Sequence, residues 1–312
     1  MNTRASPPAS PGTPPRPPAR WAPGLARDAL LHGGSATVLA FAAALCIHRW
    51  AGLDMAYVTK AMAAFVLCAW LAWRALPGAH PHTRIGPANR ITLGRLAVAA
   101  LLAALLGEPM ETVQALAWVI VVGATVAAVL DLGDGYLARR SGMSSAFGAR
   151  FDMETDAAFT FVLSALVLSF GKAGPWVLAA GLMRYVFVAS ARLWPWLAAP
   201  LPPATRRKAV CVAQITALIV CLGPIIVPPV STTIAAASLA LLAWSFLLDI
   251  RWLARRASGH LEDPHPLPKT MVQAHAGIEA VELDDGPHRP EFGHGVGRID
   301  EHQPQPPRLP RE

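Results

Sequence analysis

The sequence predicts an all-α integral membrane protein, and three observations carry that prediction. Of the 312 residues, 54% are hydrophobic and only 15% are charged, and the mean hydropathy is +0.39, a composition that does not suit a soluble chain. The apolar residues fall into separate runs near the length of about 20 residues that a helix needs to cross a bilayer core. The basic residues gather between alternate runs, as they do in a multi-pass protein with one positive side.

Residues 1–23 hold eight prolines, three arginines and no acidic residue, and they read as a disordered Pro-rich arm. Apolar segments follow at 34–50, 56–74, 92–107, 113–137, 152–171, 174–194, 209–227 and 232–250, all predicted to be transmembrane helices. Residues 259–312 carry nine prolines, ten of the 20 acidic residues and six of the ten histidines, and they read as a disordered polar tail. Cys46, Cys68, Cys211 and Cys221 lie in apolar stretches without C-x-x-C spacing, so they read as small buried hydrophobes.

Placing the N-terminus inside collects Arg4, Arg16, Arg20, Arg27, Arg74, Arg84, Arg90, Arg95, Arg139, Arg140, Arg150, Arg192, Arg206, Arg207, Lys208, Arg251, Arg255 and Arg256 on one side. Only Arg49, Lys60 and Lys172 remain for the other, so both termini are expected to be cytoplasmic. The basic residues between segments favour anionic membrane lipids as neighbours. They form no continuous basic face, so no nucleic-acid partner is expected.

Five acidic residues fall between Asp131 and Asp156, against ten in all for residues 24–258. Charge at membrane depth is costly and usually functional. Asp131 and Asp134 are three residues apart and Asp152 and Asp156 four apart, spacings that put each pair on one helix face. Two helices joined by a loop of about a dozen residues would bring the pairs together, and carboxylates so placed repel one another unless cations intervene. Hard oxygen ligands favour Mg²⁺ or Mn²⁺, and four carboxylates suit two ions roughly 3.5–4 Å apart around a pyrophosphate ester. Gly133, Gly135, Ala138 and Gly148 leave room for a polar ligand, and Arg139 offers a bidentate fork to phosphate. The bland readings are helix packing for the small residues and membrane anchoring for Arg139 and Arg140.

The run from 131 to 156 resembles the signature of the CDP-alcohol phosphatidyltransferases, D-x-x-D-G-x-x-A-R-x8-G-x3-D-x3-D. Asp131, Asp134, Gly135, Ala138, Arg139, Gly148, Asp152 and Asp156 match every fixed position. A second element of that family, P-N-x-x-T-x-x-R, resembles A-N-R-I-T-L-G-R, with Asn89, Thr92 and Arg95 kept and Ala88 in place of proline. The resemblance covers residues 84–256. It implies a six-helix core, here as a domain over 81–258, with two additional N-terminal transmembrane helices over 24–80. It implies that Asp131, Asp134, Asp152 and Asp156 bind two divalent ions, Mg²⁺ or Mn²⁺, and that Asp156 is also the general base. Asn89, Thr92, Gly135, Arg139 and Ser145 are implied contacts of the CDP group.

The implied reaction passes a phosphatidyl group from a CDP-alcohol, with CDP-diacylglycerol as the expected donor, to an acceptor hydroxyl and releases CMP in phospholipid biosynthesis. Arg184, Arg192, Arg206, Arg207 and Lys208 are candidate contacts for an acceptor, either a small polar alcohol or a phosphorylated one. The expected setting is a bacterial inner membrane with the site on the cytoplasmic side, and a second copy of the chain is a candidate partner. Two other readings stand beside this one. A membrane prenyltransferase also holds pyrophosphate through Mg²⁺ and aspartates, but splits them between distant helices. An ion-coupled transporter could use Asp131 and Asp152 as ion ligands, although no internal repeat is seen.

Overall fold

A computed structural model describes residues 23–79, 82–141, 143, 145–202 and 204–259, apart from the side chains of 23, 75–79 and 132–141. The predicted arm and tail lie outside the described residues, except for Pro23 and Gly259. Among those described, the chain is helical throughout and has no strand. The helices are α1 (Pro23–Ala51), α2 (Met55–Ala79), α3 (Pro87–Ala103), α4 (Met110–Ala115), α5 (Ala117–Ser141), α6 (Ala146–Ser169), α7 (Ala179–Leu193), α8 (Thr205–Leu222) and α9 (Val230–Ala257). Four stretches are long and apolar enough to cross a membrane: Gly24–Ala51, Met55–Arg74, Pro175–Leu193 and Val230–Ala257. α5 adds a shorter apolar run, Ala117–Asp131.

The turns follow from local chemistry. Gly52 adopts φ +65°, a left-handed conformation that strains side-chain-bearing residues and suits glycine, so the Leu53 amide can turn back onto the His48 carbonyl at 3.1 Å and end α1. Asp54 then starts α2 by accepting the Ala56 amide at 2.8 Å. Gly171 repeats the first device at the end of α6, with φ +66° and the Lys172 amide on the Val167 carbonyl at 3.0 Å. Pro87 stands in the first turn of α3, one residue before Ala88, and supplies the helix start that the replaced motif proline would give.

α3 is the hub, packing against α1, α2, α5 and α6. Small residues let it come close: Ala99 joins Ala124 and Ala127 of α5 in one buried cluster with Ile120, Phe159 and Leu163. The two N-terminal helices are tied to it by polar contacts. Asp28 of α1 accepts the Ile85 amide at 2.7 Å and pairs with Arg90 at 3.7 Å. In α2, Lys60 pairs with Glu108 at 2.5 Å, and the buried Tyr57 hydroxyl donates to the Leu101 carbonyl at 3.2 Å.

Three sequence expectations change. The segment expected at 113–137 is two helices that break at Leu116, after a start set by Pro109. The segment expected at 174–194 opens with a 3-10 turn at Pro175–Leu178, where proline removes an amide donor before α7 begins. Cys46 and Cys211 are exposed on the helix surface, and of the four cysteines only Cys221 is buried.

Candidate active site

α3 carries Asn89, Thr92 and Arg95 at three-residue steps, so all three lie near one face, and all three are buried. α5 carries Asp131, and α6 carries Asp152 and Asp156. The α5–α6 connection is short, only residues 142–145, because both helices extend further than the apolar runs. Asp131 stands ten residues before the end of α5 and Asp156 ten after the start of α6, each about 15 Å along its helix. α3 and α8 each pack against both helices, and the carboxylates of α5 and α6 meet at Arg95 of α3.

Arg95 is the centre of the arrangement. Only 2% of it is exposed, and its Nη1 donates to Asp152 Oδ1 at 2.7 Å and pairs with Asp131, while Nη2 pairs with Asp156. Oxygens of the three carboxylates all lie within 4.8 Å of one another. The sequence places Arg95 among the inside charges and in the second motif element, but assigns it no role. Its spacing from Asn89 and Thr92 is the signal that could have placed it here.

The remaining motif residues are held by the backbone around this centre. Ser145 caps α6 by accepting the Gly148 amide at 3.0 Å. A Cβ on Gly148 would lie 2.7 Å from Asn89 Oδ1, so this glycine leaves the Asn89 side chain its place against α6. The room expected there for a ligand is filled by Asn89. Thr92 donates its hydroxyl to the Ala88 carbonyl at 3.1 Å. Asp134, Gly135 and Arg139 lie on α5, but their side chains are outside the described residues, as are those of Ala138 and Arg140.

The five basic residues proposed for an acceptor are not gathered in one place. Lys208 on α8 lies close enough to Asp131 to act on it electrostatically. Arg206 and Arg207 face α9 instead: Arg206 Nη2 pairs with Asp249 at 2.5 Å and Arg207 Nη1 with the same oxygen at 3.3 Å. Arg184 on α7 pairs with Glu154 of α6 at 2.5 Å and reaches Met153 Sδ at 2.8 Å. Arg192 is exposed in the last turn of α7. Asp249 and Glu154, which hold three of these arginines, were not singled out in the sequence.

Three carboxylates from two helices, with oxygens this close, form a hard donor set that suits a divalent ion such as Mg²⁺ or Mn²⁺. The single charge of Arg95 does not neutralise them. Beside them, a cleft of about 450 Å³ runs between α5 and α8, lined by Asp131 at one end and by Trp118, Val121, Val129, Ile215 and Ile219 along its length. The acidic cluster thus adjoins an apolar channel, an arrangement fit for a phosphate ester with a hydrocarbon part.

The family model for CDP-alcohol phosphatidyltransferase matches residues 86–247, just over half of the chain and all of the helices that build this cluster. Comparison with curated proteins and with solved structures returns no match. α1 and α2 lie before the matched region. The chain therefore belongs to the CDP-alcohol phosphatidyltransferase family, all-helical membrane transferases that move a phosphatidyl group from a CDP-alcohol to an alcohol acceptor.

Proposed function

We propose that the chain transfers the phosphatidyl group of CDP-diacylglycerol to the hydroxyl of a small polar or phosphorylated alcohol and releases CMP. The observation that carries this reading is the meeting of Asp131, Asp152 and Asp156 around Arg95 at the mouth of an apolar cleft. The cleft would take hydrocarbon from the donor, while the carboxylates and α3 take its polar end.

In the reaction, the acceptor oxygen bonds to the lipid-bearing phosphorus, the bond from that phosphorus to the CMP oxygen breaks, and the hydroxyl proton passes to the Asp156 carboxylate. Two divalent ions, Mg²⁺ or Mn²⁺, when held by Asp131, Asp134, Asp152 and Asp156, supply positive charge to the pyrophosphate and the departing CMP. Asn89, Thr92, Gly135, Arg139 and Ser145 orient the CDP group. Ser145 and Asn89 are supported in this by their position, Ser145 capping the start of α6 and Asn89 lying beside Gly148 in its first turn. Lys208 is the acceptor candidate best supported by position, since it lies within electrostatic range of Asp131.

The positive-inside count supports a cytoplasmic site and cytoplasmic termini. Residues 81–258 are read as the catalytic domain, with α1 and α2 as a supplement braced against α3. The reading is tested by incubating purified protein with CDP-diacylglycerol, Mn²⁺ and single acceptors: glycerol phosphate, inositol phosphate, serine or choline. CMP release that needs both the ion and one acceptor is the expected result. No release with any acceptor would refute it.

A further inference from the structure

A guanidinium and a divalent ion want the same thing from a carboxylate cluster, namely its negative charge and its lone pairs. Arg95 takes one oxygen from each of Asp131, Asp152 and Asp156, and these come from two helices that α3 and α8 hold together. Its planar fork therefore engages one oxygen of each carboxylate in a set whose oxygens lie within 4.8 Å of one another, close enough for one ion to touch all three. We propose that Arg95 is an exchangeable counter-cation, which holds the carboxylates together when no divalent ion is bound and gives way when one binds. This rests on the reading of these aspartates as metal ligands.

Charge proportion argues for exchange. Among the described side chains, three carboxylates face Arg95 and Lys208, the latter within electrostatic range of Asp131, so negative charge stays in excess beside an almost wholly buried Arg95 and the cluster still attracts cations. Yet a guanidinium in contact with those oxygens repels an arriving ion and blocks the inner directions of their lone pairs. The two cations are thus linked antagonistically, and each weakens the other's hold by the same factor. Only a planar fork spans three carboxylates in this way. A lysine ammonium would bind as a point charge and hold the cluster less firmly.

The test uses the full chain in detergent as wild type, Arg95→Gln and Arg95→Lys. Each is titrated with Mn²⁺ alone by calorimetry and melted with and without Mn²⁺. Arg95→Gln is expected to bind Mn²⁺ at least tenfold more tightly than wild type, with Arg95→Lys in between. Without the ion, Arg95→Gln should melt below wild type, and saturating Mn²⁺ should close most of that gap. Equal or weaker Mn²⁺ binding in the variants would overturn the proposal and make Arg95 a support of the ion site. Should Arg95→Gln fail to fold, the Mn²⁺ affinity of Arg95→Lys decides by the same criterion. A wild type that binds no Mn²⁺ would instead remove the metal-ligand reading on which the exchange rests.

Discussion

Two arginine–carboxylate clusters among the described residues are built in opposite proportions. Where α3 meets α5 and α6, one guanidinium faces three carboxylates. Where α8 meets α9, two guanidiniums share one carboxylate, Asp249. In the second cluster the protein meets most of the demand itself: Arg206 also donates to the Ser245 carbonyl at 2.9 Å and hydroxyl at 2.6 Å, and Arg207 to the Pro202 carbonyl. It is a clamp between two helices. In the first, the described side chains leave negative charge in excess, which costs stability and suits a site where a ligand brings cations. The ratio of charges, more than their presence, separates the two roles.

Neutralising one acid in each cluster should separate them most sharply. Asp131→Asn or Asp152→Asn is expected to abolish CMP release, and Asp156→Asn to lower it by about 10²–10⁴-fold, the usual contribution of a general base. Removing one charge from a cluster that repels itself should leave the metal-free melting temperature unchanged or slightly raised. Asp249→Asn should keep turnover. A folded Asp249→Asn protein without activity would break the comparison.

The next effect is on stability. Asp249→Ala leaves two arginines without their shared acceptor, and the loss is expected to be about 1–3 kcal/mol, read as a lower melting temperature with catalysis intact in the folded fraction. An equal loss of melting temperature in Asp152→Ala would mean that both clusters are clamps.

What the sequence made legible follows the same division. The aspartates of α5 and α6 could be read because their spacing of three and four is a local property of a helix. The pairing of Arg95 was not legible in the same way, because Asp152 and Asp156 lie 57 and 61 residues away and Asp131 on a different helix, so that only its spacing from Asn89 and Thr92 marked it. The same holds for Arg206 and Arg207, whose pairing with Asp249 spans about 40 residues of sequence. Apolar runs located the helices but missed the break at Leu116 and the extension of α5 and α6 past the membrane-length run. Polar residues continue a helix as well as apolar ones do, so hydropathy does not mark where it ends.

Two glycines on α6 and α7 extend the contrast between site and scaffold. A Cβ on Gly181 would lie 2.4 Å from Phe161 Cα, which is backbone, so Gly181→Ala must push α7 away from α6 at a cost of about 1–3 kcal/mol. At Gly148 the obstacle is Asn89 Oδ1, the tip of a side chain, which can rotate away. Gly148→Ala should therefore melt closer to wild type yet raise the KM for CDP-diacylglycerol, because Asn89 is displaced from the donor. If Gly148→Ala lost stability as Gly181→Ala does while keeping its donor KM, Gly148 and Asn89 would belong to the scaffold.

The smallest effect is expected at Arg184, which stands between the two classes. Its pair with Glu154 is partly open to the surroundings on both sides, with side-chain exposures of 24% and 48%, so it contributes about 0.2–1 kcal/mol at most. Arg184→Lys keeps the charge and should leave the melting temperature close to wild type. The planar fork is lost, however, and an acceptor phosphate held by that fork would then be bound more weakly, so the acceptor KM should rise severalfold while the donor KM stays put. Glu154→Gln supplies the control, since it releases Arg184 without altering it. An acceptor KM that falls or holds in Glu154→Gln and rises in Arg184→Lys puts Arg184 at the acceptor. A rise in both would show that the ion pair, by fixing α7 against the helix that bears Asp152 and Asp156, matters through position alone.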